Sequence, residues 1–266
     1  MRAVRWLREH LVLLVALLVL AYLFVPIAYT VAFSFNDAGR SNLTWQGFTT
    51  DNWRNPCGAP EVCTALGNSL KIGLLVTLVS TLLGTMAAFA LARHKFRARS
   101  ATNLLIFLPM ATPEVVLGAS LLTLFLNLRV DPGFWTIVIA HVMFCVSFVI
   151  VTVKARLAGL DPRLEQAAMD LYATEWQTFR RVTLPLVAPG IVAAALLAFA
   201  LSFDDFIITN FNSGDVTTFP KFIYVAATRG IPAQANVIGT AMLLVALLLV
   251  AVGQLLAARR RRAGAR

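Results

Sequence analysis

Three carboxylates stand where a carboxylate is expensive. Glu114 lies inside the apolar run Leu104–Leu126, and Asp204 and Asp205 interrupt another run that begins at Leu186. A charge at the centre of a membrane helix costs about 2.5–3.5 kcal/mol on insertion scales, so such groups usually face a cavity or a pathway. Counted along a straight helix, Glu114 would sit ~15 Å into its run, near mid-membrane. The rings of Phe203 and Phe206 flank the aspartates and could add cation–π faces. Together these five residues could line a path for a cation. Each acid also has a plainer reading. Glu114 follows Pro113 and could cap a helix break, and the aspartate pair could simply end a span.

Other chemistry is missing. No glycine is followed by lysine, so there is no G-x-x-x-x-G-K-[ST] loop to cradle nucleotide phosphates. His10, His94 and His141 are scattered, and with Cys145 inside an apolar run they read as packing or interface residues. No metal, cofactor or nucleophile site is expected of the chain, which is no enzyme by itself. Cys57 and Cys63 flank a five-residue segment. They could form a disulfide if they face an oxidising compartment, two free thiols being the alternative.

The elements that must position these residues are apolar helices. Of 266 residues, 59% are hydrophobic and only 14% charged, with a mean hydropathy of +0.76. Soluble domains carry about 25% charged residues. Six stretches approach the ~20 apolar residues needed to cross a bilayer core: Leu11–Phe33, Ile72–Ala92, Leu104–Leu126, Phe134–Val153, Leu186–Phe203 and Val237–Ala258. The first follows Arg2, Arg5 and Arg8 as a signal peptide would. It is too long for one and has no Ala-x-Ala site, so it reads as a retained span. The fold class is therefore all-α, with six transmembrane helices.

Charge sets the orientation. With the N-terminus inside, seventeen Lys and Arg fall on the cytoplasmic side, including Arg93–Arg99, Lys154–Arg181 and the tail Arg259–Arg266. Six fall outside: Arg40, Arg54, Lys71, Arg129, Lys221 and Arg229. That asymmetry puts both termini in the cytoplasm. It also accounts for the net charge of +10 without nucleic acid, since no basic stripe is interleaved with aromatics. Residues 34–69 and 209–236 become outer connections.

Between spans four and five, residues 154–185 are too polar for lipid and too long for a turn. Asp161 can cap a helix with Pro162 at its first position, and Glu165 then sits near the positive end of the dipole. Thr174 and Gln177 have capping-box spacing. Apolar residues at 164, 167, 168 and 171, and then at 176, 179 and 182, recur at helical intervals. Pro185 would end the second helix and start the next span. Two short amphipathic helices are predicted, lying either in the lipid interface or in a groove on a partner.

The stretch 165–191, EQAAMDLYATEWQTFRRVTLPLVAPGI, resembles the EAA loop of type I ABC importer permeases. That motif runs Glu-Ala-Ala, three residues, Gly, nine residues, Ile-x-Leu-Pro. Here it falls on Gln166, Ala167, Ala168, then Tyr172, then Val182, Leu184 and Pro185. Gln166 replaces the acid, which Glu165 could supply from one place earlier, and Tyr172 replaces the glycine. Tyr172 would put bulk at a close turn and alter the break between the helices. Glu165 and Asp170 complete the segment.

The resemblance implies a MetI-like type I permease fold with a coupling helix. The expected parts are an N-terminal helix and outer loop (1–65), a permease core (66–258) and a basic tail (259–266). Implied partners are two ATPase subunits that bind ATP and Mg, a second permease, an extracytoplasmic substrate-binding protein and membrane lipid. The implied location is the inner membrane. The segments PEVVLG (113–118) and SFDDF (202–206) are similar to those of PotC-like spermidine/putrescine permeases, whose companion would be PotB-like. Polyamine import through the chain is the expected function. The same machine for another solute, an ATPase-independent secondary transporter and a membrane scaffold are the alternatives.

Overall fold

The computed structural model describes residues 2–39, 41–94 and 96–264, with side chains among 10–255. Arg40, Lys95 and Arg266 of the charge comparison lie outside the described residues. So do the side chains of Arg2, Arg5, Arg8 and Arg259–Arg262. No β-strand occurs among the described residues beyond one isolated bridge, Asn36 to Phe48.

Among the described residues five helices are long and apolar enough to cross a membrane, and a bent pair makes up to six. Cα packing divides the chain into two units, Met1–Cys63 with Ile223–Arg266, and Thr64–Phe222.

In the first unit, α1 (Arg2–Phe33) pairs with α12 (Ala233–Gly264). Thr240 donates its hydroxyl to the Thr30 carbonyl at 3.4 Å, where Gly239 lies close to Thr30. Most of α1 is bare apolar surface (Val12 is 82% exposed), which suits lipid or another membrane subunit rather than water. After α1 the chain turns on two buried asparagines. Asn36 Nδ2 donates to Asn42 Oδ1 and to the Thr44 carbonyl, and Asn42 Nδ2 donates to the Phe33 carbonyl. The short helix α2 (Asp51–Arg54) carries Trp53, which stacks on Phe35 and donates its indole N–H to Ser34.

The second unit is built around α6 (Phe134–Ala158), the most buried span. It packs against α9 (Leu184–Asp204), whose facing residues Ala194 and Ala198 are fully buried. Without a hydrophobic drive between helices in lipid, small residues that let backbones approach are the favoured contact. Two glycines show the same logic. A Cβ on Gly84 of α3 (Val62–Arg93) would lie 2.6 Å from Val149 Cγ1, and one on Gly190 would lie 2.6 Å from Arg156 Cγ. Arg156 also donates twice to the Leu186 carbonyl, at 3.0 and 2.8 Å.

Three sequence expectations change. The third span is not straight. It breaks into α4 (Arg99–Ala111) and α5 (Glu114–Asn127), bent by 105°. Pro113 removes a donor and pushes Thr112 into an extended conformation (ψ 132°), which ends α4. The depth assigned to Glu114 assumed one straight helix and no longer holds. Second, Pro185 does not end a helix. The backbone passes from α8 (Glu175–Thr178) through a π-turn (Phe179–Thr183) into α9, giving one span, Glu175–Asp204. The Leu184 N–H reaches back five residues to the Phe179 carbonyl, so the ladder widens just ahead of the proline and carries on. Third, residues 209–236 are no plain connection. They hold the end of α10 (Ile207–Asn212) and the amphipathic α11 (Phe219–Arg229).

Candidate functional site

The loop after α6 forms the first of the two short helices expected of it, while the second is the start of the span Glu175–Asp204. In α7 (Arg163–Asp170), Asp161 Oδ1 accepts the Arg163 N–H at 2.9 Å. At α8, Thr174 and Gln177 close a reciprocal capping box, at 3.0 and 3.3 Å. Between them the chain reverses on Tyr172. The Ala173 N–H bonds the Ala168 carbonyl and the Tyr172 N–H bonds the Met169 carbonyl, the pattern of a Schellman cap. That cap needs a left-handed residue, and Tyr172 takes φ 61°. The break is therefore not remodelled by the tyrosine. It keeps a glycine-like turn and turns the ring outward, 96% exposed.

Glu165 ties the loop down. Its Oε1 accepts from Arg93 Nη2 at 2.6 Å and from Thr183 Oγ1 at 2.5 Å. One carboxylate so joins the end of α3, the start of α7 and the π-turn. An aromatic chain runs alongside, with Phe89 edge-on to Phe179, Phe179 stacked on Trp176, and Arg93 over Phe89. Gln166, Ala167 and Asp170 are exposed, Ala168 and Leu184 half-buried, and Pro185 exposed. The loop's outer face shows Leu171 (82% exposed), Tyr172 and Trp176 (67%).

The acids separate into different environments. Asp205 is committed internally. Its side chain is 5% exposed, its two oxygens accept the Ile208 and Thr209 N–H groups at 3.0 and 3.2 Å, and Oδ2 lies 3.3 Å from His141 Nε2. Buried His141 reaches Ser202 through Nδ1 at 2.9 Å and Thr209 through Nε2 at 3.0 Å. Asp205 thus starts α10 and joins it to α6 and α9. Asp204 and Glu114 are exposed, the latter as the first residue of α5. Phe203 stacks on Phe199 at 5.7 Å and Phe206 is half-buried just before α10. The two acid regions share a helix contact, because a Cβ on Gly118 would lie 3.3 Å from Ile208 Cα. Glu114 precedes that glycine by one turn, and the aspartates precede Ile208 by about one.

The network of His141, Ser202 and Thr209 was not foreseen, because a lone histidine in an apolar run has no sequence signature. Nor were Arg93 and Thr183, which lie far from Glu165 in the chain. Outside the spans, Lys221 staples residues 213–216, donating to Ser213 Oγ at 2.7 Å and to the Gly214 and Val216 carbonyls. Burial lowers its pKa, with Asp215 opposing. In the first unit, Cys57 and Cys63 are joined in a disulfide at the start of α3.

The chain is similar to known proteins. The spermidine/putrescine transport system permease protein PotC of Escherichia coli K12 is 36% identical over 238 residues, covering 89% of this chain and 90% of that one. The putrescine transport system permease protein PotI of the same strain is 35% identical over 239 residues, 87% and 85% of the two chains. A solved bacterial ABC transporter involved in import of the acidic polysaccharide alginate matches 97% of this chain and 99% of its own. Its TM-score is 0.69 at 17% identity, a likeness of fold alone. The model of binding-protein-dependent transport system inner membrane components matches residues 80–262, and with these relatives it shows that the chain belongs to that family.

Proposed function

We propose that the chain is one permease half of an ATP-driven importer of polyamines, and that the loop from Asp161 to Pro185 is where an ATPase subunit docks. The observation that carries the substrate is the 36% identity, over nine-tenths of its length, to a spermidine/putrescine permease. The acids agree with it. Glu114 and Asp204 are exposed carboxylates within apolar segments, and Phe203 and Phe206 stand beside the second. Ammonium groups suit such a lining.

The loop supports docking for two reasons. Its apolar residues Leu171, Tyr172 and Trp176 are exposed on a short helical hairpin, the form that fits a partner's groove. Glu165 and the aromatic chain brace that hairpin against α3 and α9, so a push on it reaches both. In this reading both termini and the loop are cytoplasmic, the disulfide faces the oxidising side, and ATP and Mg bind the partner ATPases. A PotB-like second permease and an extracytoplasmic binding protein complete the machine.

The test is uptake of labelled spermidine by cells carrying the whole complex. Asp204→Asn and Glu114→Gln should each lower uptake while the ATPase still co-purifies. Unchanged uptake in both removes the acids from the pathway. Cysteines placed at Ala168 and Tyr172 should crosslink to the ATPase, and labelling of lipid alone would sink the docking assignment.

A further inference from the structure

A cavity of about 290 Å³ lies between α4 and α6, lined by none of the acids and by no residue of the segment 161–185. Its walls are apolar, from Ile106 and Phe107 on one side and Ile150 and Val151 on the other, with the small side chains of Ala155 and Ala158 at one end. At that end stands one cation. Lys154 Nζ donates to Asn103 Oδ1 at 2.9 Å. Among the described residues no carboxylate pairs with Lys154.

An ammonium has three donors and here spends one on a neutral amide. Its position suggests what takes the others. Lys154 lies one turn before the end of α6 at Ala158, so ~6 Å from the helix terminus and within the headgroup layer if α6 spans the bilayer. Arg99 sits one turn before Asn103, at the first position of α4, so the positive end of that helix opens on the same region. Beyond Ser100 at its start, the outer side of α4 is apolar, with Leu104 69%, Leu105 66% and Leu108 57% exposed. The cavity is therefore an apolar slot beside an exposed apolar surface, with a cation at its polar end that no carboxylate meets among the described residues.

We propose that this slot binds an anionic phospholipid, its phosphate on Lys154 and an acyl chain along Ile106, Phe107, Ile150 and Val151. Basic pockets between membrane helices at the leaflet surface select anionic headgroups in this way. A helix of a companion subunit fits less well. It would have to bring its own acid to Lys154 or leave the ammonium desolvated and unpaired. The site is independent of the transported solute and of the docking loop.

The experiment uses the whole complex, purified and placed in nanodiscs of phosphatidylcholine with a minority of phosphatidylglycerol. Native mass spectrometry counts the lipid kept by this chain, and a photoreactive phenylalanine analogue at position 107 reports what fills the slot. Wild type should retain phosphatidylglycerol over phosphatidylcholine and crosslink to lipid. Lys154→Gln should cut phosphatidylglycerol retention about fivefold, and Lys154→Arg should preserve it. Equal retention of the two lipids by wild type, or no loss in Lys154→Gln, overturns the site. So does a crosslink from position 107 to another subunit, which would assign the slot to a protein interface. If Lys154→Gln does not assemble, the wild-type preference and the Lys154→Arg comparison still decide.

Discussion

Replacing Tyr172 with glycine should strengthen the loop, although it deletes a large aromatic side chain. Tyr172 sits at φ 61°, where an L-residue carries a cost of roughly 1–2 kcal/mol. Its ring is 96% exposed, so removing it forfeits almost no burial. Glycine escapes the steric cost but loses ~0.5–1 kcal/mol more backbone entropy on ordering. The balance is ~0.5–1 kcal/mol in favour of glycine, a two- to fivefold shift in local opening. The readout is hydrogen exchange of the Tyr172 and Ala173 amides, which close the cap on Met169 and Ala168. Both should slow two- to fivefold in Tyr172→Gly, stay near wild type in Tyr172→Ala, and speed up in Tyr172→Val, since a β-branched residue tolerates positive φ least. Unchanged or faster exchange in Tyr172→Gly would refute the account of the cap.

Gly84→Ala should destabilise the helix packing by about 1–3 kcal/mol, because its Cβ would meet Val149, and adding Val149→Ala should restore much of the loss in a detergent thermal shift. Glu165→Ala should leave subunit assembly intact but weaken coupling, measured as a fall in solute-stimulated ATP hydrolysis with the basal rate retained. Preserved stimulation would show that the Arg93 and Thr183 contacts are dispensable. Asp205→Asn should lower thermal stability as well as uptake, whereas Asp204→Asn lowers uptake alone, because only Asp205 caps α10 and meets His141. Reduction of Cys57–Cys63 should lower the stability of the outer loop by about 2 kcal/mol for a ring this short, read as earlier unfolding in reductant.

Much of the frame was legible in residue type and spacing. Apolar runs located the spans, because a bilayer leaves little choice but a helix. Thr174 and Gln177 announced their cap, since a capping box depends only on local chain geometry. The pair Asp204–Asp205 marked a true helix end. What escaped depends on neighbours remote in sequence. Pro113 and Pro185 look alike as helix breakers, yet one gives a 105° bend and the other is absorbed in a π-turn. The difference lies in the backbone before each. Thr112 turns extended, while the residues ahead of Pro185 shift their hydrogen bonds by one and stay helical, held by Thr183 on Glu165. Asp205 read as equivalent to Asp204 until His141, more than sixty residues earlier, was found against it.

The π-turn also has a mechanical side. Because Glu175–Asp204 is one span, the end proposed to dock and the aspartate end lie on a single lever of 30 residues, ~45 Å long. A tilt of about 5° around its loop end would carry the far end sideways by roughly 4 Å, more than a hydrogen-bond length. A hinge at Pro185 would have dissipated that stroke. By widening one turn rather than breaking, the helix runs on through the point where a proline would be expected to end it.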